Sequence, residues 1–215
     1  MGSITRSFAN NITTSGVLLP ASLVNNSIAN VTAYNAAVST GGMVLVSSAT
    51  ASASATIDFT LGSYKEYQFY LINLHGSANS QFEFNLSTDN GSNYNVTKTT
   101  TFFAPVHAEN DSEATLAYKT DYDLAQSTSN QKLDLGTHTA NDQSLSGILQ
   151  LFNPSSTTYV KHFIGVTNLM HDTEFGTVNP YIAGYANTTS ALTNIRFIRP
   201  TGNIDEGTIL MFGIV

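Results

Sequence analysis

Apolar and polar positions alternate along the chain from Ile57 onward. Ile57, Phe59 and Leu61 are interleaved with polar neighbours, which predicts a half-buried strand. In the next segment Tyr67, Phe69 and Leu71 share one face, while Tyr70, Ile72 and Leu74 share the other. A segment apolar on both faces predicts a central, doubly covered strand. Phe82, Phe84 and Leu86 alternate with Gln81, Glu83 and Asn85, which predicts a strand with one exposed face. Asp89-Asn90-Gly91 offers the positive-φ residues of a tight hairpin turn, leading into a strand from Tyr94 to Phe103. Further strands are predicted over 115–124, 145–153, 158–168, 174–185, 191–199 and 207–215. Turn signals such as Asn153-Pro154-Ser155 and Pro200-Thr201-Gly202-Asn203 separate them. No capped helix-period stretch and no internal repeat interrupts this pattern. The predicted fold class is all-β, an antiparallel β-sandwich of jelly-roll-like type.

The first fifty residues read differently. Before Ile57 the only charged side chain is Arg6, and the stretch is rich in Asn, Ser, Thr, Ala and Val with no clean period. Disordered tails carry more charge and fewer Ile, Leu, Val and Phe. Residues 1–50 are therefore expected to form an extended N-terminal docking arm, with residues 51–215 as the β-sandwich domain. The arm's candidate contact residues are Arg6, Phe8, Ile12, Leu18 and Leu19. The apolar strand at the C-terminus is expected to sit in a sheet centre or a subunit interface. His162 is expected in a half-buried row with Val160, Ile164 and Val166.

Composition narrows the function. Charged residues make up 11% of the 215 residues, against roughly 25% in an average soluble domain. Ser, Thr and Asn together make up about a third. The net charge of -7, with 8 Lys plus Arg, argues against nucleic acid and against an anionic membrane surface as partners. The absence of cysteine excludes disulfides, thiolate metal sites and Cys nucleophiles. The N-terminus lacks the apolar core of a signal peptide, and no apolar run is long enough for a membrane helix. A soluble protein is expected, and one that reaches the outside only by cell lysis.

Candidate chemistry is sparse. His75, His107, His138, His162 and His171 show no i,i+2 or i,i+4 pairing and no zinc-binding motif. Glu109, Asp111 and Glu113 alternate in one loop, and Asp205-Glu206 lie in a turn. Asp121 and Asp123, flanking Tyr122, are candidates for Ca²⁺, which prefers oxygen ligands. Glycosidase chemistry needs two carboxylates across a cleft, and the low carboxylate count argues against it. Trp is absent, so a sugar platform would rest on tyrosines such as Tyr64 or Tyr118. No nucleophile-elbow, phosphate-loop or dinucleotide motif is present. No catalytic residue and no cofactor is predicted. A surface of small polar groups suits assembly that must survive changing ionic strength.

Three passages carry a resemblance. The strand Tyr64-Lys65-Glu66-Tyr67-Gln68-Phe69-Tyr70-Leu71-Ile72-Asn73-Leu74 is followed by Phe82-Glu83-Phe84-Asn85-Leu86-Ser87-Thr88-Asp89-Asn90-Gly91-Ser92-Asn93-Tyr94. Together they resemble a module of tailed-phage virion proteins. The stretch Ile195-Arg196-Phe197 and then Gly202-Asn203-Ile204-Asp205-Glu206-Gly207-Thr208-Ile209-Leu210-Met211-Phe212-Gly213 is similar to the ending of those proteins, with Phe212 where a Tyr is usual. The stretch Ser3-Ile4-Thr5-Arg6-Ser7-Phe8-Ala9-Asn10-Asn11-Ile12 resembles the start of structural proteins of marine phages. The resemblance covers about a third of the chain. It implies a jelly-roll virion protein: a capsid decoration or head fibre, or alternatively a tail appendage or a lectin-like module for host attachment. It further implies a homotrimer whose partners are major capsid or tail proteins, with a host-surface glycan as a further ligand. It contributes no catalytic residues.

Overall fold

Apolar side chains at alternate positions fold the chain into two antiparallel sheets that bury them against each other. The computed structural model describes residues 42–136, 139–171 and 176–214. In chain order the strands are β1 (Met43–Thr50), β2 (Thr56–Thr60), β3 (Glu66–Gly76), β4 (Glu83–Ser87) and β5 (Lys98–Ala108). They continue with β6 (Ala114–Tyr118), β7 (Gln131–Lys132), β8 (Leu145–Phe152) and β9 (Lys161–His171). The last are β10 (Gly176–Val178), β11 (Tyr181–Ala186), β12 (Asn194–Ile198) and β13 (Ile204–Ile214). No helix occurs among the described residues, and the all-β sandwich class read from the sequence is the class observed.

The larger sheet runs β1-β13-β3-β8-β9, then β10 and β11 end to end between β9 and β5, and ends on β6. The smaller runs β2-β12-β4-β7. Phe59, Phe69 and Phe197 meet between the sheets at ring separations of 5.5–6.2 Å, and Phe84 sets its edge on Phe163 at 5.2 Å. Each fully buried aromatic or aliphatic side chain contributes about 1.5–3 kcal/mol of hydrophobic stabilisation.

Several expectations change on folding. The larger sheet begins at Met43, inside the stretch read as an arm, because Met43–Thr50 pairs along β13. Strand β3, expected to be covered on both faces, is covered on one: Tyr67, Phe69 and Leu71 are buried, but Ile72 is 42% exposed. Leu74 joins the buried face because Asn73, at φ 48°, bulges and re-phases the alternation. Strand β4, expected to be half exposed, is buried throughout, Glu83, Asn85 and Ser87 included. Asn90 and Gly91 do take positive φ, and the Asp89 carboxylate accepts bonds from Asn93 and Ser87. The turn nevertheless joins strands of different sheets and makes no hairpin.

The strand predicted at 94–103 lies at Lys98–Ala108, and the one at 115–124 stops at Tyr118. The segment 174–185 is divided at Asn179-Pro180, where proline has no N–H to donate. The pairing register runs straight through the break, from Val178↔Val106 to Tyr181↔Phe103. His162, Ile164 and Val166 line the exposed face of β9 and not a half-buried row, because Phe163, Gly165 and Thr167 take the inner positions.

Beyond β6 the chain continues along the edge of β5. Lys119 N bonds Phe102 O, Thr100 N bonds Leu124 O, and Lys98 exchanges two bonds with Ser127. It then crosses to β4 through β7 and closes one side of the sandwich with a polar seam. There Thr100 Oγ1 donates to Gln131 Oε1 (2.6 Å), Lys98 Nζ to Asn85 Oδ1 (2.6 Å), and Asn130 Nδ2 to Glu83 Oε2 (3.0 Å).

Candidate interaction surface

The candidate surface is the outer face of the larger sheet. In a two-layer sandwich each strand turns alternate residues outward, and water normally selects polar side chains there. Here one whole row of outward residues is apolar. One cross-strand row runs Leu210–Tyr70–Ile148–Val166–Tyr181–Phe103–Tyr118, each residue in register with the next. Val166, Tyr181, Phe103 and Tyr118 are 36–51% exposed. The Phe103 and Tyr181 rings stack with centroids 5.1 Å apart and planes within 2° of parallel. The Tyr118 hydroxyl is turned to the rim, donating to Asp123 Oδ2 at 2.6 Å.

The adjacent row is lower: Gln150–Ile164–Ala183–Thr101. The small Ala183 leaves a groove of about 480 Å³, walled by His162, Ile164, Tyr185, Thr99 and Thr101. On β9, β11, β5 and β6 the outward positions carry no Asp, Glu, Lys or Arg. A second apolar feature lies at the opposite edge, where Met43, Val44, Leu45 and Val46 of β1 are each at least 41% exposed.

The polar groups are mostly engaged in holding the fold. His75 is tied on both ring nitrogens, Nδ1 to Asp205 Oδ1 (2.9 Å) and Nε2 to the Ala140 carbonyl (3.2 Å). The nitrogen that a general base would turn to its nucleophile is thus occupied by a backbone carbonyl. Buried in the seam, Lys98 has its ammonium pushed down to about 7 by loss of solvation. The fully buried Asp134 carboxyl is pushed up to about 7 for the same reason, although Phe82 N and Gly136 N both donate to Oδ1. Its Oδ2 has no hydrogen-bond partner among the described residues.

The residues singled out in sequence are dispersed. Arg6, Phe8, Ile12, Leu18, Leu19 and His138 lie outside the described residues. Asp121 offers its carbonyl to Lys132 Nζ (2.9 Å), and Asp123 receives the Tyr118 hydroxyl. Among the described residues, no three His, Asp or Glu side chains gather as a metal site, around Asp121 and Asp123 or elsewhere. Asp111 takes positive φ in the turn between β5 and β6 and bonds His107 Nε2 (3.2 Å). Tyr64 is no open platform: it packs edge-on to Tyr67 and lies against Gly213, where a Cβ would come within 2.6 Å of its ring. Tyr118 does reach the outer face.

Phe103 and Tyr181 are not among the site residues expected from sequence, and Ile164 is expected only as a member of the half-buried His162 row. Their signal was the run of adjacent apolar pairs, Phe102-Phe103 and Phe163-Ile164. Neighbours on a strand point to opposite faces, so one member of each pair must face outward. No protein-family model matches this chain, and no curated protein matches it.

Proposed function

We propose that this chain is a non-enzymatic structural component of a tailed-phage virion, a capsid decoration or head-fibre protein. The observation that carries this reading is the outer face of β9, β11, β5 and β6, an aromatic surface without Asp, Glu, Lys or Arg on a rigid sandwich. Such a surface suits assembly: apolar contact is little weakened by salt, whereas exposed ion pairs are screened. The three passages that resemble virion proteins map onto β3, β4 and its turn, β12–β13 and the segment ahead of β1. In this reading the segment ahead of β1 docks on major capsid or tail proteins through Arg6, Phe8, Ile12, Leu18 and Leu19. The protein is made in the host cytoplasm and released in the particle by lysis.

The test is to purify particles from a lysate of cells carrying the gene and probe them with an antibody to the chain. Co-sedimentation with intact particles and labelling on the head is the expected result. Labelling on the tail would shift the assignment to a tail appendage, and protein left at the top of the gradient would overturn the reading. A glycan-binding alternative rests on the exposed, parallel-stacked Phe103–Tyr181 pair, whose open aromatic surface would meet a sugar ring. A glycan array that stays blank with the wild type counts against it.

A further inference from the structure

The outer face carries a ridge and a groove side by side. The ridge is Val166–Tyr181–Phe103–Tyr118, and the groove lies over Ala183 one row away. Successive outward positions on a strand are two residues apart, so the rows are separated by roughly 7 Å. A surface with a ridge beside a parallel groove complements itself: turned about a two-fold axis, the ridge of one copy faces the groove of the other. We propose that this face binds a second copy of the same chain, with the Phe103–Tyr181 ridge of each copy seated against the Ile164–Ala183 groove of its partner.

Charge selects this occupant. Each copy carries a net charge of -7, so two copies repel wherever their carboxylates face each other. The outward positions of β9, β11, β5 and β6 hold no carboxylate or cation, and two copies meet there without like charges opposed. A cationic partner would find nothing on this face to pair with. A sugar would have to take its hydrogen bonds from the next rows, at Thr101 and Asn168, because the row neighbours of the aromatic pair are Val166 and the ring of Tyr118. An aromatic-rich, charge-depleted centre is the composition of homodimer interfaces. The inference stands on the sheet alone and is independent of the virion reading, whose test is co-sedimentation with particles.

The experiment is light scattering after size exclusion on the full chain, over a dilution series. The wild type is expected to run at twice 23.0 kDa. Phe103→Asp and Ile164→Lys, each at a position at least 40% exposed, are expected to run at 23.0 kDa with unchanged β circular dichroism. Mixing these two variants is expected to restore the larger species, because the new Asp on one ridge meets the new Lys in the other groove. Val44→Lys, on the exposed edge strand β1, is the control and should stay associated. The proposal is overturned if the wild type is a monomer throughout the series, with or without glycan binding. It is also overturned if the face variants stay associated, if their mixture stays monomeric, or if Val44→Lys alone dissociates the protein.

Discussion

The Lys98 ammonium lies 2.6 Å from Asn85 Oδ1 and 2.8 Å from the Val96 carbonyl, fully buried where the chain crosses from one sheet to the other. Among the described residues, no carboxylate is bonded to it. Burial therefore favours the neutral amine, and its pKa falls from 10.5 to about 7. Between those values the folded chain binds fewer protons than the unfolded chain, so stability rises with pH across this window. The full separation corresponds to roughly 5 kcal/mol as an upper bound. Urea denaturation at a series of pH values should show this alkaline rise in the wild type and its loss in Lys98→Met.

Asp134 produces the opposite slope at lower pH. Its folded pKa is raised from 3.8 to about 7 by burial, so the folded state holds a proton that the unfolded state has already released. Its contribution is complete below about pH 4 and is lost as pH rises to about 7. Together the two groups place a stability minimum near neutrality. Asn at this position keeps an oxygen for the Phe82 and Gly136 amides and carries no charge. Asp134→Asn should therefore abolish the fall between pH 4 and 7 and stabilise the protein at pH 8 by up to about 4 kcal/mol. The same urea series reads both slopes, and an unchanged acid limb in Asp134→Asn would contradict the assignment.

Gly207 sits opposite the Asn73 bulge, where β13 slips register against β3. Its φ is 105°, and a Cβ there would stand 2.5 Å from Asn73 O and 2.7 Å from Leu74 Cα. Both contacts are backbone, so the neighbour cannot swing away. Gly207→Ala should destabilise by about 1–3 kcal/mol or more from the strained φ and the clash combined. The check is the midpoint of chemical denaturation, with Asn73→Gly as a control: glycine adopts the φ of 48° without strain and should change stability by less than about 1 kcal/mol.

Alternation told which residues share a face, but not what covers that face. For β2, β8 and β12 this sufficed, because one side of each meets the apolar core. For β3 and β4 it misled. Ile72 is apolar yet lies on the outer surface, and Glu83 and Asn85 are polar yet buried. They are buried because residues 127–131 bring matched groups from far along the chain: Asn130 to Glu83, and Thr128 O and Asn130 to Asn85. Two-residue β7 is too short to show a period at all. The Asn90-Gly91 turn shows the same limit, since turn chemistry is local while strand pairing is not. The adjacent apolar pairs of β5 and β9 were a local signal for the outer face, legible once both parities are read together.

Phe84 and Phe103 separate the two uses this chain makes of aromatic residues. Phe84 is fully buried, with its ring set perpendicular to that of Phe163, and Phe84→Ala removes a core ring that nothing can replace. The expected loss is about 3–5 kcal/mol, from lost burial and the cavity left behind. Phe103 is 40% exposed and stacks on Tyr181 at the surface. Its truncation to Ala removes one exposed stack and should alter the stability of the dissociated chain by no more than about 1 kcal/mol. The two variants should therefore diverge in opposite assays. At high dilution, denaturation should be shifted strongly by Phe84→Ala and hardly by Phe103→Ala. At high concentration, the dissociation midpoint should move for Phe103→Ala but not for whatever folded fraction of Phe84→Ala remains. A Phe103→Ala chain as unstable at dilution as Phe84→Ala would mean that the outer row holds the sheet together rather than serving association.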